Sequence, residues 1–257
     1  MRIRISLRGV NSKFLTVNYN YPLSAAIYNL LRLGSPEFSA FLHDIGFPLN
    51  GRKYKLFTFA LRFEKISIEG KNINLLSPDA TLIISTPLIN DFIKNLVIGS
   101  FEQQFIRIND ARFNIKFAEI LPDVSFNECA GFRLLSPMVL STRRIHNGKE
   151  HQYFIRPDEE SEINRVLLLN LTNKYKLLYK KDIRSECELK WDEEYLHKRQ
   201  RVTKKITIDE NGAYPIDVIG TQAPFTLKTH PDLIKIGYEC GFGEKNSMGF
   251  GTTEIAN

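Results

Sequence analysis

The stretch Lys55-Leu-Phe-Thr-Phe-Ala-Leu-Arg-Phe63 alternates bulky apolar side chains with other residues, a pattern that predicts a β-strand. The apolar residues that fall on one face of this strand are Phe57, Phe59, Leu61 and Phe63. Four apolar side chains on one face favour burial in a core over an exposed surface that stacks on RNA bases.

Upstream of this strand, the sequence predicts one further strand and two helices. Residues 2–8 alternate polar and apolar side chains, as a half-buried strand does. An apolar period of 3.6 residues then predicts a helix that ends at Gly34. A second, short helix follows, with Ser35 as its N-cap, Pro36 in its first turn and Gly46 at its end.

Downstream of the same strand, the pattern predicts five more extended segments and one helix in the first half of the chain. We place strands at 65–69, 72–76 and 81–85, an amphipathic helix at 87–99, and extended segments at 103–108 and 112–120. With the upstream elements, the main order is β-α-β-β-α-β, which is typical of a ferredoxin-like domain.

The second half of the chain, after a boundary at Pro122-Asp123, repeats this order. Its predicted elements are an apolar strand from Phe132 to Leu140, a polar basic loop from Ser141 to Gln152, a helix from Asp158 to about Tyr179, strands at 185–191, 202–208 and 214–220, a helical turn from Leu233 to Cys240, a glycine-rich loop and a strand at 251–256. The predicted fold class is α+β, with two tandem ferredoxin-like (RRM-like) domains at 1–122 and 123–257 and a C-terminal glycine-rich loop.

Composition favours a soluble globular protein with a polyanionic partner. The chain has 257 residues, of which 43% are hydrophobic and 25% charged, and its net charge is +6. Its isoelectric point near 9.1 fits a nucleic-acid partner. We expect a cytoplasmic protein without a membrane partner, because no apolar run is long enough to cross a bilayer and the N-terminus does not resemble a signal peptide.

Cysteine and histidine usage argues against a disulfide framework and against a bound metal. The three cysteines are odd in number and form no Cys-x-x-Cys pair. None of the four histidines His146, His151, His197 and His230 has a metal-ligand spacing with another histidine, cysteine or carboxylate cluster. We therefore expect no metal site and no cofactor.

The segment from Gly237 to Gly251 contains five glycines in fifteen residues. Glycines permit positive φ, and a loop built from them can point several N–H groups at one phosphate. The residues for which we predict RNA contact here are Gly241, Gly243, Lys245, Asn246, Ser247, Gly249 and Gly251. The spacing alone fits a tight turn without a ligand equally well.

The segment Gly241-Phe-Gly-Glu-Lys-Asn-Ser-Met-Gly-Phe-Gly251 closely resembles the signature loop of the CRISPR-associated repeat-RNA endoribonucleases. These enzymes belong to the wider repeat-associated (RAMP) superfamily of RNA-binding proteins with ferredoxin-like domains. The segments Asp232–Cys240 and Leu56–Phe59 resemble the same family. The resemblance spans both ends of the chain and is thinner between about 85 and 225.

The resemblance implies three active-site residues, which are Tyr28, His43 and Lys55. In the similar enzymes the histidine is usually assigned as general base and the tyrosine as general acid, and the products are a 2′,3′-cyclic phosphate and a 5′-hydroxyl. The chemistry fits, because histidine transfers protons near neutral pH and lysine stabilises phosphate charge.

The helical pattern adds its own evidence for His43, since this residue points nearly opposite the apolar face of the second helix. An ordinary surface histidine is the competing interpretation, and a half-buried packing residue is the one for Tyr28. Asp44 is not expected to orient His43, because neighbours on an α-helix point about 100° apart.

One departure from the family pattern concerns the lysine. The loop from Gly46 to Tyr54 is longer than the family pattern has it, so Lys53 or Arg52 competes with Lys55 for the role of phosphate ligand. Lys55 could also simply flank the strand.

The densest basic run, from His197 to Lys205, lies between two predicted strands of the second domain, and we expect it to contact the RNA backbone. The basic residues for which we predict RNA contact are Lys53, Arg143, Arg144, Lys198, Arg199, Arg201, Lys204 and Lys205. A solvated charged face is the ordinary alternative.

The hypothesis that follows is a metal-independent endoribonuclease that cuts CRISPR repeat RNA by attack of the 2′-hydroxyl. A non-catalytic RNA-binding subunit of a CRISPR interference complex is the main alternative, and a metal-dependent nuclease is a third. The sequence leaves open whether the substrate is single-stranded or a stem-loop, whether the protein joins an interference complex, and whether it forms a homodimer.

Overall fold

The first half of the chain folds around strand β1, whose side chains Ile3, Ile5 and Leu7 are each 1% exposed. The computed structural model describes residues 1–10, 14–146, 148–208 and 215–256. The elements of this half are β1 (Arg2–Val10), β2 (Phe14–Thr16), α1 (Asn20–Gly34), α2 (Pro36–Ala40), a π-helical turn (Phe41–Ile45), β3 (Phe47–Leu49), β4 (Arg52–Tyr54), β5 (Thr58–Phe63), β6 (Ile66–Glu69), β7 (Asn72–Leu75), β8 (Asp79–Ser85), a second π-helical turn (Ile89–Ile93), α3 (Lys94–Gln103), β9 (Phe105–Ile108) and β10 (Ala111–Leu121).

The main sheet of this half has the strand order β5-β8-β1-β10-β9, and its neighbouring strands pair antiparallel. Without the edge strand β9, the second, third, first and fourth strands of the β-α-β-β-α-β unit lie side by side in that order. This arrangement is a ferredoxin-like domain, with α1 and α3 as its two helices. The predicted fold of the first half is therefore confirmed, as is Ser35 as N-cap of α2, since its hydroxyl accepts from the N–H of Phe38 at 3.2 Å.

The second half has the same architecture. Its elements are β11 (Cys129–Leu134), β12 (Ser141–His146), β13 (Lys149–Phe154), α4 (Glu160–Tyr179), β14 (Glu188–Trp191), α5 (Glu193–Lys198), β15 (Thr203–Ile208), β16 (Ile216–Thr221), β17 (Phe225–Lys228), α6 (Pro231–Cys240), a 3₁₀ turn (Asn246–Met248) and β18 (Thr253–Ile255). The sheet order β14-β17-β11-β18 again places the second, third, first and fourth strands side by side. The chain is thus two ferredoxin-like domains in tandem.

Three local predictions differ from the structure. The segment from Ser141 to Gln152, predicted as a polar loop, forms most of the β12–β13 hairpin, in which Ser141 pairs with Phe154. Its strands carry polar side chains on both faces, so they lack the apolar alternation that marks a strand in sequence. Strand β17 was missed. The predicted strand 214–220 corresponds to β16, which begins at Ile216 after Pro215, and Tyr214 lies outside the described residues.

Helix α4 carries a buried stripe at helical spacing. The buried residues of the stripe are Ile163, Val166, Leu167, Asn170, Leu171, Asn173, Lys174 and Leu177. A lysine in this stripe is only 2% exposed, and its contacts are central to the site described below. Among the described residues, no helix is both long and apolar enough to cross a membrane.

Each domain has its own hydrophobic core, and one segment of the first half crosses to the core of the second. Tyr54 and Leu56 belong to the C-terminal core, whereas Phe57 and Phe59 belong to the N-terminal core. Leu56 has a φ of 54°, a left-handed conformation that interrupts the extended backbone between β4 and β5. The last strand of the first main sheet ends at Leu121, and the first strand of the second main sheet begins at Cys129. The exact domain bounds 1–122 and 123–257 stay a prediction.

The two domains are also joined by polar contacts of Arg2, which is 4% exposed. Its guanidinium lies over the ring of Tyr238 at 3.6 Å from the centroid and donates to the Tyr238 carbonyl at 2.9 Å. Burial lowers the pKa of Arg2 to about 10, which leaves the group charged at neutral pH. Its hydrogen bonds therefore tie β1 to α6 across the domain junction.

Substitution of Gly99 by alanine is expected to destabilise the N-terminal domain by roughly 1–3 kcal/mol, because α1 and α3 pack too closely for a side chain there. A Cβ on Gly99 would overlap the carbonyl of Leu30. In an uncrowded helix the same change would stabilise the protein by about 1 kcal/mol. The sign of the change in unfolding free energy therefore distinguishes close helix packing from an uncrowded helix. Urea denaturation measures the effect.

Gly131→Ala serves as control for this comparison, since a Cβ at Gly131 would meet only Ala256 at 3.5 Å. Equal stability of Gly99→Ala and the wild-type protein would contradict the close packing of α1 on α3.

Candidate active site

His43 lies in the π-helical turn Phe41–Ile45, which ends α2. The N–H of Gly46 donates to the carbonyl of Phe41 at 2.7 Å, and Gly46 has a φ of 61°. Leu42 points into the core and is fully buried, whereas the side chain of His43 is 66% exposed. The prediction that His43 points away from the apolar face is confirmed.

Tyr28 of α1 packs against His43, with ring centroids 5.2 Å apart in an edge-to-face arrangement. The Tyr28 ring also meets Phe57 at 5.8 Å, so the residue is half-buried. Burial raises the pKa of Tyr28, and a hydrogen bond with Ser247 opposes that shift. The phenol therefore keeps its proton at neutral pH and can donate a hydrogen bond.

Lys55 and Lys53 bind the end of the turn that carries His43. The Lys55 ammonium donates to the carbonyls of Leu42 and His43, and the Lys53 ammonium donates to the carbonyl of Asp44 at 2.8 Å. Burial, followed by the neighbouring charge of Lys53, lowers the pKa of Lys55. Since carbonyls at a helix end carry partial negative charge, both lysines stabilise the turn.

The long loop between Gly46 and Lys55 is a β-hairpin made of β3 and β4. Its tip contains Asn50 and Gly51, with φ of 49° and 73°, which fits the tight turns preferred by hairpins. Phe47 pairs with Tyr54 at the base of the hairpin, so the chain enters and leaves it at neighbouring points. Lys55 consequently lies beside the His43 turn, although twelve positions separate the two residues in sequence.

The expectation that Asp44 does not orient His43 is wrong. The distance from Nδ1 of His43 to Oδ1 of Asp44 is 2.7 Å. That expectation assumed α-helical angles, but residues 41–45 form a π turn, and both side chains are exposed and free to bend towards each other. The hydrogen bond from His43, and then its charge and those of Lys55 and Lys53, lower the pKa of Asp44.

This contact determines which ring nitrogen of His43 is available. A carboxylate accepts hydrogen bonds and does not donate them, so Nδ1 must carry the proton. In the neutral imidazole the lone pair then resides on Nε2.

These side chains line one cavity of about 650 Å³. Its residues include Tyr28, His43, Asp44, Lys55 and Ser247, and we call it the His43 cavity. Tyr28, His43 and Lys55, predicted from three separate segments, are thus brought together. None of the described residues forms a group of three or more His, Cys, Asp or Glu side chains that could hold a metal ion.

The glycine-rich loop supplies Ser247 to this cavity and is docked on the N-terminal domain. Asn20 donates to the carbonyl of Met248 at 2.9 Å, and Ser24 donates to the carbonyl of Ser247 at 2.7 Å. A third contact runs from the hydroxyl of Thr58 to the carbonyl of Phe250 at 2.9 Å. The loop therefore forms one wall of a site whose other residues come from the first domain.

The conformation of the loop depends on Lys174 of α4, a residue that the sequence analysis missed. Its ammonium donates to the carbonyls of Gly241 at 2.7 Å and Gly243 at 2.9 Å, and to Oδ1 of Asn246 at 2.8 Å. Burial lowers the pKa of Lys174 to about 8, so the ammonium form still predominates at neutral pH. The sequence contained a signal for this residue: Lys174 lies three positions after Leu171, a helical spacing that places it on the buried stripe of α4.

The rest of the loop is also held by internal bonds. The amide of Asn246 donates to the carbonyls of Phe242 and Phe250, and the N–H groups of Phe242 and Gly251 donate to backbone carbonyls. The glycines with positive φ are Gly241, Gly243, Gly249 and Gly251. These residues shape the loop, and direct RNA contact by them stays a prediction.

The remaining predicted RNA ligands are spread over several elements. Arg143 pairs with Glu150 at 2.7 Å and Arg144 with Glu159, so the two lie on β12 beside acidic partners. Lys198 ends α5, Arg199 and Arg201 follow it, and Lys204 and Lys205 lie on β15. Lys204 and Lys205 line a separate cavity together with Arg62, which the sequence analysis did not select.

Replacement of Lys174 by methionine is expected to lower the free energy of unfolding by about 3 kcal/mol, because three buried oxygen acceptors lose their donor and each orphan costs about 1–3 kcal/mol. Relief of the buried charge offsets only part of that cost. Chemical denaturation measures the change. The control is Lys176→Met on the same helix, whose exposed pair with Asp182 at 2.8 Å is worth at most about 1 kcal/mol. Equal stability of the two variants would contradict the anchoring role of Lys174.

Asp44→Ala is expected to shift neutral His43 away from the tautomer with the proton on Nδ1, because the acceptor for that proton is lost. The ¹⁵N chemical shifts of the two ring nitrogens report the tautomer directly. Asp91→Ala is the matched control, since Asp91 is an exposed acid in the other π-helical turn. An unchanged tautomer in Asp44→Ala would show that the Asp44 contact does not set it.

Comparison with known proteins agrees with this architecture. Residues 14–119 match the family model of the CRISPR-associated protein Cas6 N-terminal region, and residues 120–255 match that of the Cas6 C-terminal region. The chain is 33% identical to the CRISPR-associated endoribonuclease Cas6 1 of Methanocaldococcus jannaschii, over 98% of this chain and 91% of the relative. It is 26% identical to the CRISPR-associated endoribonuclease Cas6 of Pyrococcus furiosus, over 93% and 82% of the two chains.

Solved structures give the same result. A CRISPR associated protein Cas6 that is 31% identical superposes with a TM-score of 0.78, over 100% of this chain and 99% of that one. A Cas6-related protein from Pyrococcus furiosus superposes with a TM-score of 0.84 at 23% identity, over 100% and 98% of the two chains, and supports the fold alone. Because two family models together span 14–255 and a relative is 33% identical over nearly the whole chain, the chain belongs to the Cas6 family of CRISPR-associated proteins.

Proposed function

We propose that this protein is an endoribonuclease that cuts CRISPR repeat RNA by attack of a 2′-hydroxyl, without a metal ion. The observation that carries the proposal is the His43 cavity, which holds a phenol, an imidazole and an ammonium group in one place. The family supports it, since the relatives in M. jannaschii and P. furiosus are named CRISPR-associated endoribonucleases.

His43 acts as general base in this proposal. The Nδ1–Asp44 contact leaves the lone pair on Nε2, which takes the proton from the 2′-hydroxyl. The 2′-oxygen then attacks the adjacent phosphorus, and the bond between phosphorus and the 5′-oxygen breaks. The products are a 2′,3′-cyclic phosphate and a 5′-hydroxyl end.

Tyr28 is the proton donor for the leaving 5′-oxygen. Its raised pKa keeps the phenol protonated until charge develops on that oxygen, which is a stronger base than an ordinary phenolate. Ser247 of the glycine-rich loop lines the same cavity as the phenol.

Lys55 stabilises the negative charge that builds up on the phosphate. An ammonium group has three N–H donors, and two of those of Lys55 bind the carbonyls of Leu42 and His43. The third is available to a phosphate oxygen. Lys53 competes for the same role, because it binds the next carbonyl of the turn.

His43→Ala is expected to reduce the rate of repeat-RNA cleavage by about 10²–10⁴, the usual contribution of a general base. RNA affinity and thermal stability should change little, because the imidazole is exposed. Single-turnover cleavage in excess chelator measures the rate, and chemical analysis of the product ends identifies the cyclic phosphate. His230→Asn is the control, since His230 caps α6 away from the cavity and asparagine retains the cap.

The outcomes separate the candidate functions. Cutting that stops in chelator would indicate a metal-dependent nuclease. Tight RNA binding without cutting by the wild-type protein would indicate a non-catalytic subunit of an interference complex. Equal cutting by wild type and His43→Ala would remove His43 from the chemistry.

A further inference from the structure

A second cavity, of about 680 Å³, lies beside the His43 cavity and has no role in the proposed chemistry. The β3–β4 hairpin, the β12–β13 hairpin and α4 form its walls, and we call it the hairpin cavity. Its residues include Arg52, Lys53, Ser141, Arg143, Gln152 and Asn170. Lys53 links the two cavities, because its ammonium donates to the carbonyl of Asp44, which lines the other one.

We propose that the hairpin cavity binds one unpaired nucleotide of the RNA next to the scissile phosphate, and thereby helps to select the cut site. This inference rests on the proposed function and adds a specificity subsite to it. The volume lies within the range of small-ligand sites, which is roughly 300–1,000 Å³.

Three basic side chains line the cavity, against the two carboxylates of Glu150 and Glu244, and their remaining N–H donors can bind a phosphate-bearing ligand. Arg52, Lys53 and Arg143 come from two separate hairpins and are all exposed. Arg143 pairs with Glu150 through one nitrogen, at 2.7 Å, but a guanidinium has five N–H donors. Donors therefore remain for phosphate oxygens, and the flat guanidinium can also stack on a base.

Polar side chains on the inner wall are held in fixed positions, as base recognition requires. Glu244 of the glycine-rich loop accepts from Arg52 at 2.7 Å and from Ser141 at 2.6 Å. Gln152 donates to the hydroxyl of Ser141 at 3.2 Å. This leaves the second N–H and the oxygen of the Gln152 amide to pair with a base edge.

Asn170 adds an acceptor at the floor of the cavity. The residue is 4% exposed, and its Oδ1 has no hydrogen-bond partner among the described residues. A buried acceptor without a partner destabilises the protein, so a ligand that donates to it is favoured. A small rotation of the amide would let it accept from the exocyclic amine of a base.

The β3–β4 hairpin supplies two of the basic side chains of this subsite. It occupies the loop from Gly46 to Tyr54 and places Arg52 and Lys53 on one wall of the cavity, while Lys55 stays at the His43 turn. The hairpin can therefore contact the RNA without displacing the groups of the His43 cavity.

The test measures coupling between one protein side chain and one base. The cut position is first determined with the wild-type protein, and the repeat RNA is then made uncleavable with a 2′-deoxynucleotide at that position. Single abasic replacements are introduced at each nucleotide flanking the cut, and fluorescence anisotropy gives the Kd for wild type, Gln152→Ala, Arg143→Ala and Arg107→Ala.

In the wild-type protein, one abasic position is expected to weaken binding about fivefold or more, because the base edge that pairs with the Gln152 amide is lost. In Gln152→Ala the same replacement should cost less than twofold, because the contact is already absent. Arg143→Ala should reduce the salt dependence of binding by about one phosphate contact. Arg107→Ala is the control, an exposed arginine on the far edge strand β9, and should retain the full abasic penalty.

An abasic penalty of equal size in wild type and Gln152→Ala at every position would overturn the subsite while leaving the proposed nuclease intact. A wild-type protein that neither binds nor cuts repeat RNA would overturn both.

Discussion

The candidate site depends on one buried ammonium group. Lys174 comes from the C-terminal domain and places its charge among three oxygen atoms of the glycine-rich loop. Such a group loses its hydration, so its hydrogen bonds must be complete for the folded state to be stable. The loop can therefore adopt few alternative conformations, and its fixed shape presents Ser247 to one cavity and Glu244 to the other.

This anchoring explains why the site needs both domains. Tyr28, His43 and Lys55 all belong to the first domain, but the wall opposite them is the loop of the second. The hydrogen bonds of Asn20, Ser24 and Thr58 with the loop join the two parts. The first domain alone would have these three side chains without the surface that closes the cavity.

The sequence predicted the architecture well because apolar periodicity reports burial directly. The alternation in residues 2–8 and the helical period before Gly34 both correspond to core-facing side chains. The polar β12–β13 hairpin was missed, since most of its side chains are polar or exposed and they show no apolar alternation. The three predicted active-site residues were reached through resemblance to a family, whereas their proximity required the fold. The Asp44 contact could not be predicted from spacing, because it depends on a π turn. The bonds of Lys174 could not be predicted either, because they depend on how the glycine-rich loop folds around the buried stripe of α4.

The closed base of the β3–β4 hairpin has a consequence for how this family can vary. Phe47 and Tyr54 pair directly, so the residues between them form a closed hairpin that leaves and rejoins the rest of the chain at one place. Cross-strand pairs of residues could be removed from or added to the tip without changing the separation of Gly46 and Lys55. A change of length at the tip would therefore leave the backbone at both ends of the hairpin in place, and with it the position of Lys55 beside the His43 turn.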